Sequence, residues 1–212
     1  MPLEYLLQEP VSIQEKNPLI LLIHGYGSNE EDLFSFAPEL PQSCYVISVR
    51  APHQLMYGSY AWYAINFDAN DQKFSDIPQA LDSRDLLMEF ISDIVAQYPI
   101  DQNQIHLIGF SQGAILSLAL GLSYPEKFSK IVALSGYLNT EMATPGFEKN
   151  YFSQLKMFVS HGTVDQVIPV EWSRKSVPIL QNLGIDCVFK EYPVGHGVSP
   201  QNFYDFKNWL EM

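Results

Sequence analysis

The chain is short of cysteine, short of positive charge and short of long apolar runs, and each shortage narrows its function. Two cysteines in 212 residues, Cys44 and Cys187, give no disulfide framework. Both sit in strand-like stretches, "CYVISV" and "DCVFKEY", and read as buried free thiols, which fits a reducing compartment and a cytoplasmic location. No His or Cys cluster has metal-ligand spacing, so no metal is expected. No Gly-x-Gly-x-x-Gly follows a strand pattern, so no dinucleotide cofactor is expected. Lys and Arg number 12 against 24 Asp and Glu, a net charge of -12. Nucleic acid and anionic membrane surfaces need clustered basic side chains, and this balance argues against both as partners. The longest fully apolar run near the start, "PLILLI", is far too short to span a bilayer, so no stable membrane insertion is expected. The opening residues, "MPLEYLLQEPVSIQEKN", show no basic stretch leading into an apolar one, so no secretory signal is expected.

What is present is a large apolar content, 47% of the residues, with only 17% charged. That is enough for one sizeable core and predicts a single domain over residues 1–212. Seven stretches read as strands: "EYLLQ", "LILLIH", "CYVISVR", "QIHLIGF", "KIVALSG", "KMFVSHG" and "DCVFKEY". Most are continuously apolar, as parallel strands covered on both faces must be. Helical patterns lie between them, at 30–38, 112–123, 170–183 and 200–211. The clearest, "DIPQALDSRDLLMEFISDIVAQYP", carries apolar residues at helical spacing. Asp76 and Gln79 resemble a capping box, Pro78 suits the first turn and Pro99 ends the helix. The alternation predicts an α/β fold with a mostly parallel, doubly wound sheet of about seven strands. Residues 51–75 form the longest stretch without a clear element, and a loop that long is more often functional than idle.

"IGFSQGAILSLAL" places Ser111 between Gly109 and Gly113, after a buried strand and before an apolar helix. A serine at such a strand-to-helix turn holds its hydroxyl above the sheet edge, and the residues two positions either side must be small. A tight packing turn with an incidental serine satisfies the same five letters. An activated serine needs a base, and the base needs a carboxylate to orient it. In elbows of this kind the acid and then the histidine follow the serine in the chain. Of His24, His53, His106, His161 and His196, only the last two follow Ser111. His161 ends a strand and reads as structural, whereas His196 lies in the loop "YPVGHGVSP". Asp165, in "HGTVDQVIP", then fits as the acid; Asp186 and Asp205 fit the order poorly. The N–H of Gln112 at the helix start and that of Tyr26, in "HGYG" after an early strand, are the candidate oxyanion donors. His24 reads as an anchor of that loop.

The motifs "HGYGSNEEDL", "GFSQGA", "LSGYL", "HGTVDQVIP" and "YPVGHGVS" together resemble the phospholipase/carboxylesterase family of α/β-hydrolases, which includes the acyl-protein thioesterases. The resemblance runs in order from about residue 19 to 209. It implies a triad of Ser111, Asp165 and His196, oxyanion amides at Tyr26 and Gln112, and hydrolysis of carboxylic esters or thioesters without a cofactor. One segment departs: where the thioesterases commonly read Trp-Phe-Asp, this chain has Trp62-Tyr63-Ala64. The departure favours a general bacterial-type carboxylesterase over the acyl-protein thioesterase and lysophospholipase subtypes, which stay as alternatives.

The aromatic stretch after residue 55 suggests an acyl pocket, with Met56, Trp62 and Tyr63 as tentative lining residues and Trp62 foremost. Packing of that loop onto the core explains the same aromatics equally well. The strands and helices leave no room for a large lid domain, so an open site is expected. A peptidase using the same triad and a non-catalytic binding protein on the same fold are the competing readings. Composition leaves both monomer and homodimer open.

Overall fold

A computed structural model describes residues 3–67 and 73–212. The chain runs through β1 (Tyr5–Gln8), β2 (Asn17–Ile23), α1 (Glu31–Phe34) and β3 (Tyr45–Val49). Two short hairpins follow, β4 (His53–Met56) with β5 (Ser59–Ala61) and β6 (Ile65–Phe67) with β7 (Lys73–Ser75). Then come α2 (Ile77–Gln97), β8 (Ile100–Phe110), α3 (Gln112–Ser123), β9 (Lys130–Leu134), β10 (Lys156–Gly162), α4 (Val170–Asn182), β11 (Asp186–Tyr192) and α5 (Pro200–Glu211). Seven strands form one sheet in the order β1-β3-β2-β8-β9-β10-β11. Only the β1–β3 pairing is antiparallel; the others are parallel.

The apolar runs bury both faces of this sheet, because successive side chains of a strand point to opposite sides. Leu19, Leu21 and Ile23 of β2 join the core under α2, α3 and α4, while Ile20 and Leu22 join the one under α1 and α5. The same division separates Ile131 and Ala133 from Val132 and Leu134 in β9, and Met157 and Val159 from Phe158 in β10. Helix α3 is buried along its whole length, so its sequence needs no polar stripe.

All seven expected strands are present. Three expectations change. The helix expected over 30–38 stops after Phe34, and a single 3-10 turn, Ala37–Glu39, follows. Pro38 disfavours the α conformation at Ala37 and donates no N–H, so the pattern cannot run on as one helix. Half of the expected capping box forms: the Asp76 carboxylate accepts from Gln79 N–H at 3.1 Å, but the Gln79 side-chain oxygen accepts from Ala64 N–H at 2.8 Å. Gln79 thus ties the helix start to the preceding hairpin. Residues 51–75, expected as one long loop, contain the two hairpins instead; residues 68–72 lie outside the described residues. Among the described residues no larger insertion covers the sheet.

Candidate active site

The elbow forms where β8 meets α3. Ser111 has φ 53° and ψ −115° and caps the helix, a backbone that a non-glycine residue adopts only under constraint. Its N–H donates to Leu134 O of β9 at 2.8 Å, which pins the turn. A Cβ at Gly109 would overlap Gly113 O and Ser117 Oγ, and one at Gly113 would overlap the Ile23 carbonyl. Both positions therefore have to be glycine for strand, turn and helix to close up against β2.

Three strand ends carry three side chains to one point. His196 Nε2 lies 2.9 Å from Ser111 Oγ, and His196 Nδ1 lies 2.7 Å from Asp165 Oδ2. Asp165 follows β10, and its other oxygen accepts the N–H groups of Val167 and Ile168 at 2.8 and 3.0 Å. Burial would raise the Asp165 pKa, but the His196 bond and the two amides outweigh it and hold the carboxyl below its ordinary range. An ionised Asp165 is acceptor-only, so His196 Nδ1 carries the hydrogen and Nε2 is left to accept from Ser111. The His196 ring also packs against Phe110, with centroids 5.0 Å apart.

The loop after β2 borders the same point. His24 is fully buried; its Nδ1 lies 2.7 Å from Gly25 O and its Nε2 accepts from Ala51 N–H at 3.0 Å. Burial pushes its pKa down, so the neutral ring serves as a two-ended strut for the loop that carries Tyr26. Among the described residues, the N–H groups of Tyr26 and Gln112 donate to no backbone or side-chain acceptor. Gln112 is the first residue of α3, where the helix ladder offers its N–H no partner.

A cleft of about 360 Å³ opens over Ser111 and His196. Tyr26, Tyr63, Tyr137 and Trp172 supply aromatic walls, and Ile65, Ile115, Val167 and Ile168 aliphatic ones. Tyr137 meets Trp172 edge-on, with centroids 4.8 Å apart. The Tyr63 and Tyr137 phenols both lie beside Ser75, and burial pushes both pKa values up.

Of the three residues expected along an acyl pocket, only Tyr63 lines the cleft. Trp62 is buried in the core, with its indole N–H donating to His24 O at 2.9 Å. Met56 is two-thirds exposed on the β4–β5 hairpin, away from the cleft. The sequence left lining and core packing open for these aromatics and put Trp62 foremost as a lining residue, whereas Trp62 packs the core and Tyr63 faces the cleft. Tyr137 and Trp172 were missed, because nothing local marks them; the sheet and α4 bring them in from distant segments. The side chain of Gln112 was missed as well. It accepts from Trp62 N–H and donates to Tyr63 O, each at 2.8 Å, tethering the aromatic segment to the elbow.

Residues 10–212 match the family model described as Phospholipase/Carboxylesterase. The chain belongs to the phospholipase/carboxylesterase family. Members similar to it include a probable carboxylesterase of Oryza sativa, 29% identical over 91% of this chain and 76% of the relative. Acyl-protein thioesterase 1 of Debaryomyces hansenii is 26% identical over 91% of this chain and 89% of its own. Among solved structures, esterase PE8 matches with a TM-score of 0.86 at 27% identity, covering 100% of this chain and 99% of its own. The Bacillus cereus carboxylesterase shares the fold, with a TM-score of 0.84 at 22% identity over 99% of this chain and 93% of its own. The chain is therefore an α/β-hydrolase and a carboxylic ester hydrolase. Among the described residues no helix is long and apolar enough to cross a membrane, and no His, Cys, Asp and Glu group could hold a metal ion.

Proposed function

We propose that the protein is a carboxylesterase working through an acyl-enzyme on Ser111, with His196 as base and Asp165 as its orienting acid. The observation that carries this reading is the unbroken series Ser111 Oγ, His196, Asp165 at 2.9 and 2.7 Å. His196 Nε2 takes the hydroxyl proton as Oγ attacks the ester carbonyl, and Asp165 stabilises the imidazolium without itself being protonated. The N–H groups of Tyr26 and Gln112 receive the developing oxyanion, each worth on the order of 3 kcal/mol in a site that excludes water. His196 returns the proton to the leaving alcohol and then activates water to release the acid.

The apolar cleft supports small or medium acyl and aryl esters, since most of its wall is aromatic or aliphatic. Similarity to a relative named acyl-protein thioesterase supports a second reading, in which thioesters are cleaved as well. The free thiols Cys44 and Cys187 support a reducing, cytoplasmic setting.

Intact-mass spectrometry after a fluorophosphonate tests the core of the proposal. One adduct on wild type and none on Ser111→Ala is the expected result; equal labelling of both would overturn it. A panel of p-nitrophenyl esters and matched thioesters of rising acyl length then separates the two substrate readings.

A further inference from the structure

A second histidine touches the same carboxylate. His161 ends β10 and, like the Asp165 side chain, is wholly buried. Its Nε2 lies 2.8 Å from the carbonyl oxygen of Ile168 and 3.2 Å from Asp165 Oδ2, the oxygen that faces His196. Both neighbours are acceptors only, so this nitrogen has to carry a hydrogen. On the opposite side of the ring, Ser173 Oγ of α4 lies 2.7 Å from Nδ1 and also reaches the Gly136 carbonyl after β9. Two different elements thus fix the rotation of the ring.

We propose that His161 is a positioning residue for the triad, bracing Asp165 from behind so that its Oδ2 meets His196 Nδ1. The bracing works through two contacts. Nε2 packs 3.2 Å from Oδ2, and its hydrogen is donated to the carbonyl of Ile168, whose own N–H holds Asp165 Oδ1. Oδ1 of the carboxylate accepts two backbone amides, and Oδ2 accepts from His196 with His161 Nε2 packed 3.2 Å behind it. A carboxylate so surrounded cannot rotate without losing partners. The inference rests on the roles assigned above to Ser111, Asp165 and His196.

Removing the ring takes away the donor that anchors the Ile168 carbonyl and the group packed behind Oδ2, so Asp165 and its turn can shift away from His196. The other charged groups near His161 are Glu191, its register partner on β11, and Arg174 of α4, which is bound to Glu191. These stay in place in the variants below.

The test compares wild type, His161→Leu, His161→Gln and Ser173→Ala for fluorophosphonate labelling rate and for p-nitrophenyl butyrate hydrolysis across pH. Glutamine keeps an amide donor at the reach of the imidazole Nε2. For His161→Leu the labelling rate and kcat fall by about 10- to 100-fold, the scale of a small misplacement of reacting groups. KM stays within about twofold, because the lost interaction acts on the transition state. His161→Gln recovers most of the rate. Ser173→Ala, which only loosens the ring, shows the same changes at smaller size and carries the test if His161→Leu does not fold. Folded His161→Leu labelling at the wild-type rate would overturn the proposal, as would His161→Gln no faster than His161→Leu. If His161→Leu does not fold, wild-type kinetics in Ser173→Ala overturn it. Unlabelled wild type would instead remove the triad on which the inference rests.

Discussion

At the scale of single residues, Gln112 has two tasks that its place after Ser111 does not announce. Its N–H starts α3 beside the Ser111 hydroxyl, and its side-chain amide satisfies Trp62 N–H and Tyr63 C=O inside the core. Leucine is close in volume but cannot make either bond, and buried unpaired groups cost about 1–3 kcal/mol each. Gln112→Leu should therefore lower the urea midpoint by the equivalent of about 2–4 kcal/mol. It should also raise KM, because Tyr63 forms a wall of the cleft. A variant with unchanged midpoint and unchanged KM would show that the tether does not matter. Trp62 teaches the complementary lesson. An aromatic in a candidate binding segment looks the same in sequence whether it faces substrate or, as here, donates to the His24 carbonyl from the core.

At the scale of elements, the site depends on how closely two loops approach. The turn after β10 carries Asp165 and the loop after β11 carries His196. They are stitched together by Thr163 N–H to Tyr192 O at 2.8 Å and Val164 N–H to Val194 O at 3.2 Å. Gly162 permits the contact, because a Cβ there would overlap the carbonyls of Val194 and Gly195. Gly162→Ala should push the His196 loop outward, lengthen the Asp165–His196 contact and cut kcat/KM by on the order of 100-fold. Far-UV circular dichroism should stay near wild type, since both strands can form without the contact. Undiminished kcat/KM would mean that the loops tolerate the displacement. The motif "HGTVDQVIP" is thus legible as an acid-bearing turn, whereas its glycine has a reason only once the neighbouring loop is in view.

At the scale of the whole molecule, acid stability should follow histidines outside the triad as well as its carboxylate. His106 on β8 is buried beside Lys130, and burial first, then that positive charge, lowers its pKa to about 4. In the unfolded chain a histidine titrates near 6.5. The unfolded state therefore binds more protons between about pH 6.5 and 4, and folding stability falls as pH drops through that window. The fall from about 6.5 to about 4 corresponds to roughly 3–4 kcal/mol at most from His106. His24, also depressed by burial, adds in the same direction. Asp165, held below its ordinary range, adds a further loss at lower pH, as its folded-state pKa is approached. Urea melts from pH 7 to 4 should show the decline, and His106→Leu should flatten it. An identical slope in that variant would assign the acid sensitivity elsewhere.

The sequence by itself determined the architecture and pointed to the chemistry proposed for the elbow. Short, β-branched apolar runs bounded by turns read as strands buried on both faces, and their alternation with helices leaves few arrangements besides a parallel sheet. Chain order then singled out Asp165 and His196 as the proposed acid and base among several carboxylates and histidines, because strand-to-helix serine sites of this kind place both after the serine. Tertiary structure alone decided which aromatics line the cleft, that Gln112 faces inward as a tether, and that His161 stands against Asp165. Those outcomes depend on which segments meet at the strand ends. Ser111, Asp165 and His196 come from three different strand-to-helix connections, and Tyr137, Trp172 and His161 reach them only through the sheet order β8-β9-β10-β11. Local pattern states what each segment becomes, while long-range packing states what it touches.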